Sequence, residues 1–224
     1  MPCNLGYREI AEVTIPNPQP QELKEEVVAP EIDKELLEKI GEEDSIFLDW
    51  LLGLEIGPLL EEALRRALSK VKGAGALKTS IAKNGRLLIR ARYTTAAEKK
   101  ELDALTVSFS NQFQMEALAI VAELLDYEVL IRQEIRDGKK VFVLEGEKKT
   151  SSGIHKYLKI TRDVDGKGVL VFEHFEFEDE LTKEERKFLA LAKKLGIRIV
   201  MRKKTQQGNP LPKGVTHKNF VRAR

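Results

Sequence analysis

A chain of 224 residues with 42% apolar and 33% charged side chains can bury a sizeable core without a metal or disulfide staple, and it is too apolar to be disordered. Its single cysteine, Cys3, excludes an internal disulfide and a cysteine-cluster zinc site and points to a reducing, cytoplasmic setting. The net charge of +2 conceals a polarity: residues 1–62 carry four basic against sixteen acidic side chains, while residues 196–224 carry eight basic and no acidic ones. Such a layout predicts an intramolecular clasp or separate partners for the two ends.

No apolar run approaches the roughly 20 residues that span a bilayer, and "MPCNLGYREI" lacks the basic and apolar regions of a signal peptide. "YREIAEVTI" (7–15) alternates as a short strand. Four prolines follow between 16 and 30, fixing φ and removing donors, so residues 1–32 read as an extended, acidic, Pro-rich arm. Asp33 is placed to cap a short helix, "KELLEKI", that Gly41 stops. Pro58 begins a stronger helix, with Leu60, Ala63, Leu64, Ala67, Leu68 and Val71 on one stripe, so residues 33–73 read as a helical module. Between them "IFLDWLLGL" is too apolar to stand free, so Phe47, Trp50 and Leu51 are expected to pack on the next helix, on the main body or on a protein partner.

Asn84-Gly85 between two β-rich runs predicts a hairpin within 77–93, because a type I′ turn needs φ > 0 at both positions. Thr95 and Glu98 form a capping box for a helix within 96–125, and "TVSFSNQF" predicts a break near Thr106–Ser110. From Tyr127 the period switches to two, giving hairpins over 127–146 and 156–177. A second capping box, Thr182 to Glu185, predicts a helix over 183–195 that ends at Gly196, followed by a last strand over 197–203. Residues 77–204 therefore read as an α+β domain, and 205–224 as a basic extended tail. Its core is expected to include Leu124, Leu125, Ile131, Val143, Ile160, Val171, Leu191 and Leu195.

One phrase occurs twice. "AIVAELLDYEVLIRQE" ends the long helical stretch, and "LALAKKLGIRIVMRKK" ends the last helix seventy residues later. Each copy reads as a helix turning straight into a strand, either a duplication or two solutions to one packing problem. The fold class that follows is α+β, an antiparallel or mixed sheet with covering helices, preceded by the small helical module.

Residues that carry chemistry are sparse. His155, His174 and His217 have no metal-ligand spacing, "DGKG" at 165–168 is a turn and not a P-loop, and no nucleophile motif occurs. Glu173 and His174, inside an otherwise apolar strand, are the one acid–base pair to follow. No catalytic residue, metal or cofactor is assigned. Basic residues say more. Arg86, Arg90 and Arg92 share or neighbour one hairpin face beside Tyr93, and Arg202, Lys203, Lys204, Lys213, Lys218, Arg222 and Arg224 extend through the last strand and tail. Basic arms of this kind commonly contact phosphate backbones.

The stretch 111–146 resembles an uncharacterised family shared by cyanobacteria and plastids, with a helix, a tight corner, a strand, an Asp-Gly turn and a second strand. "KYLKITRDVDGKGVLVFEHF" is similar to a companion family of small β-hairpin proteins. The chain departs from the pattern at the corner, where Asp126 stands in place of glycine. In bacteria both families are often encoded beside AAA+ ATPases, so the resemblance implies an accessory protein of a larger assembly, with an AAA+ ATPase as one partner. Two functions follow as expectations: a non-enzymatic adaptor docking through its basic tail and acidic arm, or a binder of RNA or DNA using the tail and hairpin arginines.

Overall fold

The structure, a computed structural model, describes residues 6–16, 32–82, 87–150, 153 and 155–209. The fold is α+β. Strands β1 (Gly6–Thr14), β4 (Glu128–Arg136), β5 (Lys139–Lys149), β6 (His155–Asp163), β7 (Lys167–Phe175) and β8 (Val200–Asn209) form one six-stranded sheet. Its order is β4-β5-β6-β7-β1-β8 and every neighbouring pair is antiparallel. A separate hairpin pairs β2 (Lys78–Ile81) with β3 (Leu87–Arg90). Helices α4 (Ala96–Glu123) and α5 (Glu178–Lys194) cover one face of the large sheet. Helices α1 (Lys34–Glu43), α2 (Ser45–Gly53) and α3 (Ile56–Lys70) pack around them. No helix among the described residues is long and apolar enough to cross a membrane.

The position of β1 departs from the sequence expectation. Residues 7–15, read as a short strand within an extended arm, are a strand over Gly6–Thr14, but one that runs through the sheet between β7 and β8. Because β1 is antiparallel to both neighbours, β7 and β8 are mutually parallel, and β7-α5-β8 is a split β-α-β unit with β1 in its gap. The last strand likewise continues to Asn209 and takes in residues expected in the tail. Alternation along a strand shows which residues share a face, but not which strand lies beside it.

The register sorts residues into rows across the sheet. Leu144, Ile160, Leu170, Ala11 and Lys204 make one row facing the helices, and Gly146, Leu158, Phe172, Glu9 and Gln206 make the next. The opposite face carries Glu145, Lys159, Val171, Ile10 and Thr205. Of the expected core, Leu125, Ile160, Leu191 and Leu195 are buried among the helices, while Leu124 and Ile131 are half-buried there. Val143 and Val171 belong to the open face: Val143 is buried and Val171 half-buried.

Both copies of the repeated phrase are the same corner. Asp126 (φ 66°) and Gly196 (φ 77°) end their helices in the left-handed region. The next residue closes the turn in each case, Tyr127 N donating to Ala122 O at 3.1 Å and Ile197 N to Ala192 O at 2.8 Å. This is the helix-ending motif in which a left-handed residue satisfies the last carbonyls.

Three helix boundaries differ from expectation. α4 runs unbroken through Thr106–Ser110, because Phe109 through Ala122 are buried on every side and their packing overrides weak helix propensity. α5 starts at Glu178, not Lys183, so Thr182 sits inside the first turns and bonds Glu178 O at 3.0 Å. Gly41 does not end α1. It lets Leu48 of α2 approach, as a Cβ there would lie 2.9 Å from the Leu48 side chain.

Asp33 and Asp44 cap α1 and α2 through the Glu35 and Phe47 amides. Leu51 on α2 joins the same core as Leu118 and Phe172, whereas Trp50 remains 39% exposed. Leu51→Ala is therefore expected to cost about 3 kcal/mol, the usual toll of a cavity at a fully buried leucine. Trp50→Ala is expected to cost only about 1 kcal/mol, since less apolar area leaves water there. Urea unfolding of the two variants measures the difference.

Candidate nucleic-acid interface

Between the sheet and α5 lie charges that link strands to helix. Glu9 is fully buried on β1, and its Oε2 is 2.7 Å from Lys204 Nζ of β8, which also donates to Glu185 Oε2 of α5 at 2.5 Å. Burial pushes the Glu9 carboxyl up to about 7; Lys204 opposes that shift and the Glu185 charge adds to it. Burial disfavours the Lys204 ammonium, but its bonds to Glu185 and Glu9 outweigh this and raise it. Lys204, expected on a binding surface, keeps 37% of its side chain exposed but has its ammonium paired with Glu9 and Glu185.

A second cluster sits nearby. Lys148 donates to Glu184 Oε1 at 3.1 Å, and Lys156 bonds Glu180 while lying 5.0 Å from the centre of the Phe175 ring. Burial and the neighbouring Glu184 push the Tyr127 hydroxyl up, so it stays protonated. Under α4, fully buried Arg162 donates to Ile15 O at 3.0 Å and to Asn111 Oδ1, and burial lowers it to about 10. Each of these charged groups ties one element to another.

The open face of the sheet is neutralised in the same way. Glu145 accepts from both Arg132 and Lys159, and Arg8 pairs with Glu173 at 2.6 Å. The acid–base pair followed from the sequence lies here, half-buried on the open face. Glu173 and His174 form a β-bulge opposite Arg8, where His174 takes φ 67° and sets its ring edge-on to Tyr157. No cluster of three His, Cys, Asp or Glu side chains among the described residues is arranged to hold a metal.

The β2–β3 hairpin is different. Leu87 is buried and Ile81 and Ile89 are half-buried against the core, which turns Lys78 and Arg90 outward, directly opposite each other in the register. Like charges in that position repel and weaken the pair. Arg92 and Tyr93 follow, both exposed, and α4 then presents Lys99 and Lys100, with Lys99 Nζ 5.7 Å from the Tyr93 ring centre. Lys72 is exposed just before the hairpin. These six basic residues have no acidic partner among the described residues. Of the acids at the start of α4, Glu98 is occupied as the helix cap by Thr94 N at 2.8 Å, the Thr94 hydroxyl and Thr95 N, while Glu101 and Asp103 are exposed further along the same helix. The bonds to Glu98 hold its carboxyl below the ordinary range, the Thr94 amide contributing most.

Of the basic residues singled out in the sequence, the structure therefore brings Arg90 and Arg92 together, joined by Lys72, Lys78, Lys99 and Lys100. The last four were missed, although a signal exists for Lys72 and Lys78: residues 71–97 contain no acidic residue. Arg202 and Lys203 are exposed on β8, an edge of the large sheet, apart from this hairpin. Arg86, Lys213, Lys218, Arg222 and Arg224 lie outside the described residues. On α2, Phe47 is half-buried under Lys187, Trp50 is partly exposed and Leu51 belongs to the core, so only part of that trio can face a partner. No family model, curated protein or solved structure matches this chain.

Glu9 gives a testable pH dependence. A carboxyl raised from its ordinary value to about 7 binds a proton in the folded state that it releases in the unfolded chain. Its contribution therefore stabilises the fold at acid pH and is lost as pH rises from the ordinary carboxylate range through 7. Glu9→Gln removes that loss. It is expected to be more stable than the parent at pH 8, by on the order of 3 kcal/mol, and so to melt at a higher temperature there, with the gap closing toward pH 5. Thermal melts across this range measure it.

Proposed function

We propose that this chain is a non-enzymatic binding protein whose β2–β3 hairpin and first turns of α4 hold nucleic acid. The observation that supports this reading is the set of six exposed, unpaired basic residues around Lys78 and Arg90, in a protein whose other strands and helices mostly pair their basic groups with acids. Phosphates would relieve the Lys78–Arg90 repulsion, and Tyr93 would offer a ring to a base. The side chains stand on a hairpin anchored by Leu87, so little ordering is needed on binding.

A second reading is favoured by a separate observation. Ile46 (82% exposed), Leu52 (53%) and Trp50 leave apolar area on α2 of the kind that adaptor proteins present to a larger assembly. The AAA+ ATPases implied by the sequence resemblance are the partner class for that reading.

Titration with RNA and DNA at several salt concentrations tests the first reading. If the six residues together with Lys83 and Arg86 contact phosphates, log affinity should fall with log salt at a slope of about −7 for duplex and about −6 for single strands. Arg90→Glu with Arg92→Glu should flatten the slope by about 2 units and weaken binding, while Arg202→Glu with Lys203→Glu should leave it nearly unchanged. Equal effects from the two pairs, or no binding by the parent at physiological salt, would remove the hairpin as the interface.

A further inference from the structure

β8 ends beside an acidic hollow. Its last paired residues lie against the start of β1, Gly208 opposite Tyr7 and Asn209 opposite Gly6. The Tyr7 ring lies over Gly208, where a Cβ would sit 2.1 Å from the ring, so only glycine lets the chain leave under it. Tyr7 in turn is one wall of an open hollow of about 570 Å³, whose other walls include Glu43 at the end of α1 and Phe177, Glu178, Asp179 and Arg186 around the start of α5. Three carboxylates line it with one guanidinium: Arg186 is bonded to Glu43, Lys183 Nζ lies 3.7 Å from Asp179 Oδ2, and Glu178 has no ion-pair partner among the described residues. Glu178 and Asp179 are exposed, and Phe177 is 61% exposed with no ring partner among the described residues. Acids in a first helical turn are explained by the helix dipole. An exposed phenylalanine beside them is not.

The chain that continues from this point is "PLPKGVTHKNFVRAR", residues 210–224, with four basic residues, no acid, and Leu211, Val215, Phe220 and Val221 as apolar side chains. We propose that residues 210–224 dock in cis in the hollow, their lysines and arginines on Glu178, Asp179 and Glu43 and an apolar side chain on Phe177. Reach favours the chain's own segment over any free partner. Lys213 is four residues beyond Asn209, an extended span of roughly 14 Å, and the hollow begins at the residue opposite Gly208. A tether this short holds the segment at an effective concentration on the order of millimolar, enough to populate contacts that would be weak between separate molecules. Because the carboxylates are exposed, the contact is screened by salt. This docking does not depend on the hairpin reading, and it gives the basic end of the chain an acidic counterpart around the start of α5.

Zero-length carbodiimide cross-linking of the full-length protein at low salt, mapped by mass spectrometry, tests it. The expected result is cross-links from Lys213 or Lys218 to Glu178, Asp179 or Glu43 within one chain, in a yield that does not change with protein concentration. They should be lost at molar salt, where the screening length shrinks to ~3 Å. The part-buried Lys148–Glu184 pair, 3.1 Å apart, should still cross-link there and serves as the control for folding. A charge exchange adds specificity. Glu178→Lys and Asp179→Lys combined with Lys213→Glu and Lys218→Glu should restore cross-links between the exchanged positions, whereas Glu178→Lys with Asp179→Lys alone should give none. The proposal is overturned by cross-links found only between chains, which would make a second copy the occupant. It is equally overturned by tail cross-links to acids elsewhere, or by none from the tail while the control forms.

Discussion

The six-stranded sheet depends on β1 being paired along both edges. Without it, β8 has no neighbour, and α5 would have to return its strand directly against β7. Backbone pairing alone would tolerate a slipped register, but the side chains do not. Glu9 lies in the helix-facing row, and only the observed register places Lys204 beside it and under Glu185. A slip of one residue would send Lys204 to the open face and leave Glu9 buried without its counter-ion. A buried ion pair of this kind is a poor source of net stability and a strong penalty on the wrong arrangement. Arg162 acts similarly at the other end of β1. Its guanidinium holds Ile15 O while Gln114 holds Pro16 O at 2.8 Å, which fixes where the strand leaves the sheet.

The repeated corner has a matching consequence. α4 turns into β4 and α5 into β8, and these two strands are the two edges of the sheet. Each edge is therefore laid down by a helix already packed on the covered face. Both edges are lined with charge, Arg132, Glu134 and Arg136 on one and Arg202 and Lys203 on the other, which discourages pairing with another chain. At the shared position of the two corners, glycine in one and aspartate in the other satisfy the same backbone requirement, because a short polar side chain tolerates the left-handed region.

Local signals in the sequence were the legible part. Asp137-Gly138 turns β4 into β5 with φ values of 50° and 72°, as the Asp-Gly pair predicts, and the Thr95–Glu98 capping box opens α4 where expected. What stayed hidden depends on partners far along the chain. Asn111, Gln112, Gln114 and Glu116 look like a break in an amphipathic helix. They are buried because Arg162, Gln133, the Pro16 carbonyl and Lys70 meet them, and none of these contacts can be read from local spacing. Glu178 rather than Lys183 begins α5 for a similar reason: the buried Leu181 draws the first turn onto the core. Of the candidate interface, Arg90 and Arg92 were visible as charge on a hairpin. That Lys204 is paired with two buried acids and Lys78 with none could be seen only once strand neighbours were known.

Charge in this protein is therefore informative pair by pair and not as a sum. A net charge of +2 describes a nearly neutral molecule, yet the neutrality comes from closed pairs within the sheet and helices. Where the acid-free stretch 71–97 folds into its own small hairpin, no carboxylate is carried along to close them. The hairpin is also where the fold accepts an electrostatic cost, Lys78 against Arg90, that a single acidic substitution on either strand would relieve. Such a cost is borne by a scaffold whose anchoring residues, Leu87, Ile81 and Ile89, do not depend on those charges. The unpaired groups can thus be spent on an external anion without loosening the strands that display them.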